Sequence, residues 1–192
     1  MWMEKTNPQN QRRPLALGLI LTGVIFRLLP HLPNFTPVGG ISLFSGARLR
    51  GWQAFGVPLI IMAVTDPIMG RILGYPAYTL ITPAVYGSFL INVRIGSYLR
   101  RTESPWWIGG AALLASTQFF LITNLALWAS GISYPLTLSG LLACYAAAIP
   151  YFGRTLASDL LYTGLLFGLH GWLSRWKFPK ERVGNRAEAF SS

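Results

Sequence analysis

Charge is what this sequence has little of. Only 11% of its 192 residues are Asp, Glu, Lys or Arg, against about a quarter in an ordinary soluble domain. Acid is scarcer still, with six Asp and Glu against 16 Lys and Arg. A single cysteine, Cys144, excludes a disulfide within the chain and any multi-cysteine metal centre, and it reads as a small packing residue. No GxxxxGK[ST] loop is present, so the chain carries no ATPase of its own, and HExxH, CxxC and GxSxG are missing as well. No two His or Cys residues have metal-ligand spacing. The aspartate contexts "VTDP" and "ASDL" do not resemble the motifs of intramembrane aspartyl proteases. These absences predict no catalytic activity, no cofactor and no metal.

What is there is apolar. Hydrophobic residues make up 52% of the chain, and the charges cluster between apolar stretches of roughly 18 to 22 residues, the length that crosses a bilayer core as a helix. The composition predicts an all-α polytopic membrane protein forming one domain. The net charge of +10 then marks loops facing the cytoplasm rather than nucleic acid. The basic start followed by an apolar run resembles a signal peptide, but "RLLPHLPNF" follows where a small-residue cleavage site belongs, which predicts a retained first helix.

Six crossings are predicted, over residues 14–29, 37–49, 54–73, 78–99, 106–129 and 155–173, the second of them short. Residues 136–149 are apolar but end at Pro150, so they read as a re-entrant or interfacial segment before the last helix. With both termini inside, Lys5, Arg12, Arg13, Arg48, Arg50, Arg94, Arg100, Arg101, Arg175, Lys177, Lys180, Arg182 and Arg186 are cytoplasmic, leaving Arg27, Arg71 and Arg154 of the 16 basic residues outside. A seventh crossing would reverse that asymmetry for the tail. The organisation is therefore a cytoplasmic tail over 1–13, a membrane domain over 14–176 and a flexible basic tail over 177–192.

This topology gathers the unusual polar residues in the outer half. Arg27 ends the first helix, Asp66 lies in the outer half of the third, Gln118, Asn124 and Trp128 climb the fifth, and Arg154 and Asp159 begin the sixth. Asn34 lies in the linker "PHLPNFTPVGG", whose prolines block regular structure and whose Gly39 and Gly40 allow tight approach; it reads either as a lid or as a rigid turn. An ionisable group facing lipid costs about 2.5 to 3.5 kcal/mol at mid-helix, so these side chains point inward. Arg27 and Arg154 would hold an acidic group, Asp66 and Asp159 accept hydrogen bonds, Asn124 orient and Trp128 stack. The plainer alternative pairs Asp159 with Arg154 or Arg27. Asp66-Pro67 reads as a break in the third helix, with Asp66 capping a short outer helix. In the inner half, Gly164, Gly168 and Gly171 have the spacing for close helix contact in membranes.

The strings "RLLPHLPNFTPVGGISLFSGA", "VPLIIMAVTDPIMG", "FFLITNLALWASG" with "YPLTLSGLLACYAAAIPYF", and "LASDLLYTGLLFG" together resemble an uncharacterised family of small bacterial membrane proteins, catalogued only as a domain of unknown function. The resemblance implies the bacterial inner membrane. The layout is remotely similar to the substrate-binding S components of energy-coupling-factor transporters, six-helix proteins with an outward pocket that borrow a coupling subunit and ATPases in trans. Small residues four apart on the first helix are common there; here "ALGLILTG" offers only Gly18 and Thr22. Two functions are compatible with these residues. One is a small-molecule binding component of an uptake system, with a small polar metabolite as its ligand and membrane lipid around it. The other is a scaffold or assembly subunit whose charges form one buried network.

Overall fold

The computed structural model describes residues 8–30 and 32–177. The predicted basic tail falls almost wholly outside them. Among the described residues there are six α-helices and no strand: α1 (Pro8–Leu28), α2 (Val38–Arg48), α3 (Trp52–Leu73), α4 (Thr82–Ser97), α5 (Pro105–Ala129) and α6 (Leu138–Lys177). A short 3-10 turn, Tyr98–Arg101, follows α4. The helix ends have local causes. α5 opens with Pro105 behind an extended Ser104, a position where the missing N–H of proline costs nothing. α3 closes on Gly74, left-handed at φ 74°, whose N–H reaches the Gly70 carbonyl.

α3 and α5 are each long and apolar enough to cross a membrane. The other helices fall short for visible reasons. α2 and α4 have 11 and 16 residues, α1 carries Arg12, Arg13 and Arg27, and α6 is interrupted by Arg154 and Asp159. Leucine, isoleucine and valine nevertheless stand exposed in rows four residues apart: Leu17, Leu21 and Ile25 on α1, Ile60, Val64 and Ile68 on α3, and Leu161, Leu165 and Leu169 on α6. That is the reverse of a helix amphipathic toward water, which turns its apolar stripe to the core.

The hub is α2. Every residue from Val38 to Ala47 is buried, and α3, α4, α5 and α6 all pack on it. Glycine makes the approach possible. A Cβ on Gly46 would collide with the Val93 carbonyl, one on Gly96 with the Leu43 carbonyl, and one on Gly40 with the Thr163 backbone. Beside them the core is aliphatic and aromatic, with Phe44 edge-on to Phe167 at 5.2 Å between ring centroids.

Three findings differ from the sequence expectations. α6 is one helix of 40 residues that runs through Pro150, so residues 136–149 are not a separate segment ended by that proline. α3 likewise continues through Pro67, so Asp66 is not the cap of a second helix. In both cases contacts hold the chain on either side of the ring. Thr65 and Asp66 are tied to neighbours before Pro67, and Gly70 lies on the backbone of Tyr75 and Ala77 after it. Tyr145 bonds α5 before Pro150 and Phe152 packs on Phe120 after it. A third internal proline, Pro58, shows the compensation directly. It deprives the Ala54 carbonyl of its helical donor, and Ser45 of α2 donates to that oxygen at 2.9 Å. The third difference concerns α6. A Cβ on Gly164, Gly168 or Gly171 meets nothing within 4 Å, so the small-residue stripe makes no close helix contact within the chain. These glycines line an open groove of about 440 Å³ with Gly109, Ala112 and Thr163.

Candidate functional site

α1 and α3 lie parallel and in register. Gly23 faces Ile61, and one turn later Arg27 faces Thr65 and Asp66. Arg27 Nη2 stands 2.7 Å from Asp66 Oδ1, and its Nη1 donates to Thr65 Oγ1. From α4, Tyr86 donates its hydroxyl to the second oxygen, Asp66 Oδ2, at 2.7 Å. Both carboxylate oxygens of Asp66 are therefore engaged and its charge is matched by Arg27. This is the balance required of a charge away from water.

Asp159 is treated differently. It is 3% exposed, and Ser116 of α5 donates to its Oδ2 at 2.7 Å. The carboxylate also lies against Gly39, in the first turn of α2, where a Cβ would strike it. Among the described residues no cation pairs with it. Neither Arg27 nor Arg154 fills that role: Arg27 is held by Asp66, and the Arg154 guanidinium lies over the Tyr151 ring at 5.6 Å. The adjacent Ser158 donates to the Thr36 carbonyl at 2.6 Å and fastens the loop after α1 to α6. Phe35 adds an aromatic contact to Tyr162, at 6.0 Å. Asn34 has φ 63°, the left-handed conformation that asparagine tolerates better than most side chains.

These elements enclose a cavity of about 980 Å³. Its walls come from the C-terminal parts of α1, α3 and α5, the beginnings of α2 and α4, and the first half of α6, so successive helices alternate in direction and the cavity lies at one end of the bundle. Of the eight side chains expected at a binding site, Arg27, Asn34, Asn124 and Asp159 line it. Asp66 stands behind Arg27. Gln118 is committed to the Ser88 carbonyl at 3.0 Å and to Asn92 Oδ1 at 2.6 Å. Trp128 donates to the Pro135 carbonyl at 3.0 Å and pins the turn after α5. Arg154 is spent on Tyr151.

Several lining residues carried no sequence signal strong enough to select them. Asn92, 1% exposed, was legible in principle as a lone amide in the apolar α4. Thr36, Thr123, Thr155 and Tyr134 add hydroxyls, and Phe89, Phe119, Phe120, Tyr151 and Phe152 make the aromatic wall. Cys144 lies in this wall with its thiol 3.5 Å from the Asn124 carbonyl. Among the described residues no three of His, Cys, Asp and Glu come together as a metal centre would require.

Fold and site define an all-helical protein with two membrane-length apolar helices and one polar, aromatic-walled cavity over a buried carboxylate. The chain belongs to a family of unknown function (DUF6580), whose model matches residues 7–181. No curated protein and no solved structure matches it, and the likeness of layout to energy-coupling-factor components is not confirmed by these comparisons.

Proposed function

We propose that the protein is a six-span inner-membrane protein with both termini in the cytoplasm, and that it binds a small molecule arriving from outside as the substrate-binding component of an uptake system. The observation that carries this reading is the cavity of about 980 Å³, open at one end and holding a buried carboxylate and several amides and hydroxyls. Its size falls within the roughly 300 to 1,000 Å³ of small-molecule sites, and its make-up, aromatic walls with a few convergent polar groups, is that of such sites. The exposed rows of leucine and isoleucine on α1, α3 and α6 support a lipid surround, since water-soluble monomers rarely expose such patches. The end opposite the cavity carries Arg48, Arg50, Arg94, Arg100 and Arg101, which supports a cytoplasmic orientation for it.

Topology is tested by single cysteines at opposite ends of the bundle in a Cys144→Ser background. Ser133→Cys should react with an impermeant thiol reagent on intact cells and Thr102→Cys only after permeabilisation; the opposite pattern reverses the orientation. Binding is tested by mass spectrometry of small molecules released from the purified protein. A reproducible compound lost on Asn124→Leu supports the reading, and none released from any preparation counts against it.

A second reading, an assembly subunit, has one observation in its favour. The groove beside Gly164, Gly168 and Gly171 is uncovered in the single chain, and small residues at such spacing suit a neighbouring helix. Pull-down of a stoichiometric membrane partner, abolished by Gly168→Leu while ligand binding persists, would favour it.

A further inference from the structure

We infer that the cavity selects a monocationic organic molecule, an amine or ammonium group on a flat apolar body, with the positive group seated at Asp159. The inference rests on the ligand-binding reading above and reverses the expectation that arginines in this site would hold an acid.

The charge count around the cavity carries it. Among the described residues, two side chains of formal charge line the wall, Arg27 and Asp159. Arg27 is already neutralised, since Asp66 stands 2.7 Å away behind it. An acidic ligand would have to compete with that carboxylate, and removing one partner of a buried pair is strongly unfavourable. Arg154 is not in the wall and lies over Tyr151. What remains facing the space is the carboxylate of Asp159.

The local compensation of Asp159 is incomplete. Ser116 gives it one hydrogen bond of 2.7 Å. The first turn of α2 lies against it at Gly39, and a helix N-terminus contributes roughly half a positive charge. Together they hold the carboxylate in place without supplying a full counter-charge. Buried charges away from water are paired, and the partner position left open is the cavity itself. The rest of the wall fits the same ligand. Phe120 and Phe152, 5.0 Å apart between centroids, offer rings that attract a cation and stack on a flat body, whereas Tyr151 is already covered by Arg154. Asn124 donates to the Phe120 carbonyl at 2.8 Å and Thr155 to the Tyr151 carbonyl at 3.0 Å, which leaves their side-chain oxygens as neutral acceptors on the wall.

Three probes of one shape test the charge: tryptamine, indole-3-acetamide and indole-3-acetate, positive, neutral and negative at neutral pH. Equilibrium dialysis against the purified full chain should show tryptamine bound at least ten-fold more tightly than indole-3-acetate, with the amide between them. Asp159→Asn, nearly the same in volume, should bring the three within about three-fold of one another. Access is read separately, from Thr155→Cys in a Cys144→Ser background, one turn from Asp159. A cationic thiosulfonate should label it faster than an anionic one, after correction for their rates with free thiol, and that preference should vanish on adding Asp159→Asn. Labelling by both reagents at equal corrected rates, or equal affinity of the three probes for the unaltered chain, overturns the cationic class and leaves the cavity as a binding site. Tighter binding of indole-3-acetate does the same. No labelling by either reagent together with no binding of any probe at millimolar concentration overturns the binding reading itself.

Discussion

α2 and the second half of α6 each carry three glycines, and the structure uses them in opposite ways. On α2, Gly39, Gly40 and Gly46 meet other chain segments so closely that none has room for a Cβ. On α6, Gly164, Gly168 and Gly171 meet nothing. Spacing favours α6, where the residues follow one helical face; α2 has an adjacent pair and a third six positions on. The difference lies in what surrounds each helix. α2 is enclosed by all five other helices, of which α4 and α6 approach it over its glycines, whereas the face of α6 beyond Thr163 opens on a groove. Small residues permit close contact, and they do not supply the partner.

Substitutions should separate the two sets. The largest effect is expected from Gly46→Leu, because backbone stands on the far side of the contact and cannot swing away; a loss of about 3 kcal/mol or more, at or beyond the upper end for overpacking, should abolish folded yield in detergent. Gly39→Ala meets the Asp159 carboxylate rather than backbone, and should cost about 1 to 3 kcal/mol, seen as a lowered melting temperature that Asp159→Ala partly restores. Ser45→Ala removes the donor that serves the Ala54 carbonyl in front of Pro58, and should cost about 1 to 2 kcal/mol for an unsatisfied buried acceptor. Gly168→Leu should stay within about 0.5 kcal/mol of the unaltered protein, as surface changes do. A melting temperature for purified Gly168→Leu as low as that of Gly39→Ala would break the comparison and return α6 to the tightly packed set.

The helical framework was legible because long apolar stretches bounded by Pro, Gly and charge leave few alternatives. The helices fall close to the apolar runs, and the short second helix was visible between Pro37 and Leu49. The proline positions were not. Asp66-Pro67 and Pro150 look like breaks by local chemistry, and tertiary contacts on both flanks override them, as at Tyr145 and Phe152. The candidate site was half legible. An aspartate or arginine in an apolar run must find company, which identified Arg27, Asp66 and Asp159. Which of them pair, and which faces space, depends on helix register; Arg27 reaches Asp66 only because α1 and α3 align Gly23 with Ile61. Hydroxyls such as Thr123 and rings such as Phe152 carry no sequence signature that distinguishes a cavity wall from a packed core.

The enclosure of α2 also constrains how the protein is made. A helix of 11 residues is about 16 Å long, roughly half the hydrocarbon thickness of a bilayer, and this one is buried from Val38 to Ala47. Its final neighbours include Thr163 and Phe167, which emerge from the ribosome more than a hundred residues after it. In the proposed membrane setting the second segment therefore waits, only partly sheltered, until the last helix is synthesised. A chain cut short after α5 would keep most of its length and still lack the surface that closes over Gly39 and Gly40, namely Asp159, Tyr162 and Thr163 of the last helix.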